Sequence, residues 1–166
     1  MATLIDKINQ NKNLFLVEIG ETEEKATVRV VLCEGEKSEP AKDVAMFGLT
    51  ESAKEESAAF GKIFKGSRLI TPTGPTYELV FRGYIGYSVT NESYSKNLES
   101  EKYVGNVFRV YSQSCFLDYI KASTIATKEY PGEYTHYCLV CCDHIIDVVS
   151  TEKPVIKERM AVATRQ

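Results

Sequence analysis

No stretch of the 166-residue chain approaches the roughly 18 apolar residues in a row that a bilayer-spanning helix needs. The start, Met1-Ala2-Thr3-Leu4-Ile5-Asp6-Lys7, also lacks the apolar segment of a secretory signal. A protein neither exported nor bound to a membrane is expected. Positive charge is not in excess: 20 basic against 23 acidic side chains leave −3 at pH 7, which removes the attraction that general nucleic-acid binding requires. The five cysteines are odd in number and two of them, Cys141 and Cys142, are adjacent, so they make no ordinary disulfide framework and fit reduced thiols in the cytoplasm. Internal repeats, low-complexity tracts and heptads are absent, and a 43% hydrophobic, 26% charged composition is that of an ordinary folded domain. At about 150 residues per domain, the length predicts one domain over 1–166, with about 159–166 a frayed tail.

Tyrosine is missing from the first 76 residues, and all ten tyrosines lie between Tyr77 and Tyr137. Because the ring packs well on a pleated surface, residues 77–150 are expected to hold the main sheet. Residues 3–10 predict a short helix, and 14–19 with 26–33 an antiparallel hairpin. A second helix is expected over about Ser52–Phe64, closed by Gly66. From Tyr77 to Thr90 the alternation is longer than one strand usually runs, which predicts a bend, a bulge or two strands at Gly83 and Gly86. Asn91–Glu101 reads as an exposed polar loop, 106–111 as a strand, and 112–125 as a helix packed through Phe116, Leu117 and Ile120. Tyr134–Ser150 reads as a hairpin, after which Pro154 restricts the chain to an edge or tail. Strands that cluster without regular alternation with helices predict an α+β domain: one twisted antiparallel or mixed sheet carrying two or three helices.

Three groups of residues point to chemistry. Cys115 sits where the chain leaves a strand and enters a helix, with Ser112 or Ser114 as the cap, and amides at a helix start lower a thiol's pKa. A hairpin turning on Cys141-Cys142 would set His136 opposite Asp147 as a base and its orienting carboxylate, whereas a turn one residue later would set Asp147 opposite Cys138. His136, Cys138, Cys141, Cys142 and His144 offer zinc-type ligands, but strand alternation sends them to opposite faces and no second ligand pair completes Cys138-x-x-Cys141. Around Gly83 and Gly86, the residues Arg82, Tyr84 and Tyr87, with Asn91, Glu92 and Tyr94 at the strand's end, suggest a ligand or partner surface. Gly61–Arg68 has the glycine spacing of a phosphate loop but lacks the Lys-Ser/Thr that follows the second glycine.

The order Cys115, His136, Asp147 across a helix start and two strands resembles the arrangement of papain-like and transglutaminase-like thiol enzymes, in arrangement alone. It implies acyl transfer or hydrolysis with Cys115 as nucleophile, His136 as base and Asp147 as orienter. The reading placed first is a non-catalytic cytoplasmic binding protein that uses its Tyr-rich sheet, without a cofactor, for an unidentified protein or small-molecule ligand. The thiol enzyme comes second and a zinc protein third.

Overall fold

The computed structural model describes residues 3–37 and 70–159. The chain divides into two compact units, 1–35 with 72–166 and 36–71. The described strands and helices lie in the first unit, apart from residues 36–37 and 70–71 at the ends of two strands. The helix expected over Ser52–Phe64, the Gly61–Arg68 segment and all but Arg159 of the expected tail lie outside the described residues.

Nine strands and two α-helices make up the regular structure among the described residues. Strands β1 (Leu14–Glu21), β2 (Thr27–Lys37), β3 (Ile70–Arg82) and β9 (Val155–Arg159) form one sheet in the order β1-β2-β3-β9. Strands β4 (Tyr84–Asn91), β5 (Lys102–Val104), β6 (Phe108–Gln113), β7 (Thr135–Val140) and β8 (His144–Ser150) form the other, in the order β4-β8-β7-β6-β5. Helix α1 is Leu4–Gln10 and helix α2 is Cys115–Ser123.

The α+β expectation is therefore corrected: the protein is mostly β, with two antiparallel sheets. The physical reason is what covers the inner faces. Val30 and Leu32 of β2 and Leu79 and Phe81 of β3 share one buried cluster with Phe108, Leu139, Ile146 and Val148 of the other sheet. The Phe81 and Tyr137 rings meet across it at 5.7 Å. Each sheet thus hides its apolar face against the other rather than under helices.

The long alternating segment divides at Gly83, which has φ +61° and hands the chain from β3 in one sheet to β4 in the other. A Cβ there would stand 2.1 Å from Thr151 Oγ1. A bulge between Tyr84 and Gly86 follows, and it turns Ile85 away from the shared core toward α2, where it packs with Leu117, Ile120 and Val149. Gly86 lets α2 come close, since a Cβ on it would lie 2.7 Å from Ile120 Cδ1.

Helix α1 opens with a capping box between Thr3 and Asp6 and sinks Ile8 into the core. Its Asn9 Oδ1 accepts the N–H groups of Asn106, Val107 and Phe108 at 2.9–3.0 Å, which fixes the start of β6.

Candidate functional site

The β7–β8 hairpin turns on Cys142 and Asp143, with Cys141 N–H donating to His144 O. Asp147 consequently lies opposite Cys138, and His136 opposite Val149. Even so, His136 Nε2 is 2.9 Å from Asp147 Oδ1. The pairing is diagonal: both residues project from the outer face of the sheet, and an imidazole reaches the carboxylate one rung along. On that rung Arg109, Cys138, Asp147 and Ser88 run in line across β6, β7, β8 and β4. Ser88 Oγ donates to Asp147 Oδ2 at 3.4 Å. Burial, reinforced by Asp147 alongside, pushes the Cys138 thiol far up and keeps it protonated.

The second nitrogen of His136, Nδ1, is 2.8 Å from Ser114 Oγ. Ser114 is the N-cap of α2, and its Oγ also accepts Leu117 N–H at 3.1 Å. Every atom is satisfied when Nε2–H donates to Asp147 and the Ser114 hydroxyl donates to Nδ1. Ser114 and His136 are each 2% exposed. The imidazole is stacked on Tyr111 at 4.5 Å, and Phe116 meets it on a tilt at 5.4 Å. These contacts tie the start of α2 to the strand beneath it.

Above this outer face, the 92–101 segment and the start of α2 enclose a cleft of about 320 Å³. Asn91 caps the 3₁₀ turn at Glu92–Tyr94 that begins the segment, and Glu101 at its end accepts Cys115 N–H at 3.0 Å. Asp147, Cys138, His136 and Arg109 lie along the floor, with Tyr94, Tyr111 and Phe116 as aromatic lining and Glu92 and Lys96 as charged lining. The Arg109 guanidinium lies over the Tyr103 ring at 4.5 Å. Its Nε donates to Asn106 O at 2.9 Å and its Nη1 to Tyr111 Oη at 3.4 Å. Among the described residues Arg109 makes no ion pair.

The structure brings together some of the residues named from sequence and separates others. His136 and Asp147 are bonded, and Cys115 is exposed and lines the same cleft. Both His136 nitrogens are taken by Ser114 and Asp147, so Ser114 stands where the thiol was expected. Glu92 and Tyr94 reach the cleft, whereas Arg82 and Tyr84 are used within the fold. Arg82 Nε donates to Glu24 at 2.8 Å and Tyr84 Oη to Glu21 at 2.6 Å, which clasps the β1–β2 loop. The hydrogen bond to Glu21 pushes the Tyr84 phenol up to about 12. Tyr87 packs edge-on against Tyr84, beside the core.

Of the remaining cysteines and histidine, Cys141 is buried and Cys142 exposed, and His144 Nδ1 lies 3.1 Å from Asp143 Oδ2 without a hydrogen bond. No three His, Cys, Asp or Glu side chains among the described residues are grouped so as to hold a metal ion. None of the described helices is long and apolar enough to cross a membrane.

Arg109, Ser88 and the bond from Ser114 to His136 escaped the sequence reading. A usable signal existed for Arg109, which shares strand parity with Tyr111. Compared with known proteins, the chain matches no family model, no curated protein and no solved structure.

Proposed function

We propose that the protein is a non-catalytic cytoplasmic binding protein that holds a small polar molecule in the cleft between the 92–101 segment and α2. What supports this is the roofing of the outer sheet face: a sheet face left to water needs no cover, yet this one carries a polar rung beneath an aromatic-lined hollow. The volume is at the lower end of the roughly 300–1,000 Å³ range of small-molecule sites. Reduced thiols accord with the cytoplasm, since none of the five cysteines is in a disulfide.

Cys115 and Cys142 are both exposed, and only Cys115 lines the cleft. Alkylation read site by site therefore contains its own control. A bound ligand is expected to slow labelling of Cys115 several-fold while Cys142 keeps its rate. If amino acids, organic acids, sugars and nucleosides at millimolar concentration all leave the ratio of the two rates unchanged, the proposal fails.

A second reading, acyl transfer at Cys115, gains from the bonded His136–Asp147 pair beside an exposed thiol at a helix start. It requires His136 to release Ser114 and take up Sγ. That reading expects Cys115 to label much faster than Cys142 near pH 6 and to lose the advantage in His136→Ala. Equal rates in both proteins from pH 5 to 9 would remove it.

A further inference from the structure

We propose, building on the binding reading above, that the ligand is a small amine–carboxylate zwitterion whose two charges stand at opposite ends of an apolar body, its carboxylate held by Arg109 and its ammonium by Asp147. The argument begins with charge. Among the ionisable lining residues, Glu92, Glu101 and Asp147 oppose Lys96 and Arg109, so neither a dianion nor a simple cation is matched by the whole cleft.

The two signs are also laid out in order. Arg109 on β6 and Asp147 on β8 flank β7 on the same rung, two strand spacings or about 10 Å apart at the backbone. Between them stands Cys138, neutral because its thiol is held protonated. A ligand lying across β7 thus meets a cation at one end, an uncharged middle and a carboxylate at the other.

Each end has bonding capacity left. A guanidinium has five N–H donors, and Arg109 uses two, on Asn106 O and Tyr111 Oη, with its plane held against Tyr103. A partly buried guanidinium with free donors and no ion pair among the described residues is suited to a carboxylate supplied from outside. Asp147 accepts from His136 and Ser88, with the Cys138 thiol as a third donor, which still leaves a lone pair on a side chain that is 18% exposed. Tyr94 and Phe116 offer ring surface to the apolar chain between these ends.

The test compares one molecule with its two halves: 6-aminohexanoate, hexylamine and hexanoate, together with leucine, whose two charges share one carbon, each scored by protection of Cys115 relative to Cys142 in the full chain. 6-Aminohexanoate is expected to protect at the lowest concentration, and leucine only at a higher one. Each half-molecule should be weaker by about tenfold or more, the loss of one charge-assisted hydrogen-bonded contact.

Arg109→Gln should abolish the preference for 6-aminohexanoate over hexylamine, while Arg109→Lys keeps part of it. Asp147→Asn, which keeps an oxygen to accept His136 Nε2–H, should weaken 6-aminohexanoate more than hexanoate. If sugars or nucleosides protect Cys115 and no zwitterion does, the ligand class is wrong and the cleft reading stands. If nothing protects Cys115, both fall. Protection by 6-aminohexanoate and both half-molecules at equal concentration would overturn the charge assignment alone.

Discussion

One oxygen serves two elements at Ser114: it accepts the Leu117 amide as the cap of α2 and bonds His136 Nδ1 on β7. Ser114→Ala removes both. A lost cap costs about 1 kcal/mol and a buried nitrogen left without a partner about 1–3 kcal/mol, so the variant should lose about 2–4 kcal/mol in urea unfolding. Ser114→Gly separates the contributions, because glycine in the cap position forfeits only a few tenths of a kcal/mol of capping. The alanine variant should therefore be the less stable of the two. Equal losses would mean that the cap contributes nothing and that the imidazole bond carries the whole effect.

At the scale of the element, the junction of β3 and β4 decides how the two sheets are connected. Gly83→Ala would adopt φ +61° against a cost of about 1–2 kcal/mol, with the Thr151 hydroxyl contact added to it. Placing the same change in a Thr151→Ala background should recover the contact part and leave the backbone part. Full additivity of the two changes in a double-mutant cycle would show that the contact is relieved without cost. This junction also marks how far the sequence could be read. The break at Gly83 was legible from the length of the alternation, and so were both hairpins and both short helices. That β3 and β4 belong to different sheets was not, because period 2 reports sides relative to a strand's own axis and a left-handed residue resets that axis. The bulge between Tyr84 and Gly86 shifts the parity again, so Ile85 points to α2 while Phe81 and Tyr87 share the core. In the site, the cap at Ser114 was legible, as it was one of the two serines named for it. Its bond to His136 depends on how α2 lies across the sheet, and no local pattern encodes that. The His136–Asp147 bond forms although the register sets Asp147 opposite Cys138, because the diagonal also lies within an imidazole's reach.

For the molecule as a whole, the question is whether the two sheets are stable separately or only together. Tyr137 of the second sheet touches Phe81 of the first at 5.7 Å and Phe108 of its own at 5.8 Å, so one ring joins both layers. The β7–β8 turn adds polar ties: Cys142 N–H donates to Leu14 O at 2.7 Å, and Asp143 Oδ1 accepts Leu16 N–H at 3.2 Å beside the bulge that exposes Val17. Apart from Ile8 of α1, neither inner face has another cover among the described residues, and a layer stripped of its partner would expose most of its apolar side to water. Two buried thiols report the layers independently, Cys33 on β2 and Cys138 on β7. Alkylation along a urea gradient should open both at the same midpoint, as a cooperative two-state transition requires. Phe81→Ala removes a fully buried ring and should cost about 3–5 kcal/mol. It should shift both midpoints equally, although Cys138 belongs to the sheet that was not mutated. A Cys33 midpoint that falls while Cys138 stays protected would mean that the five-stranded sheet stands on its own with its cleft intact, and that the first sheet is a dispensable backing.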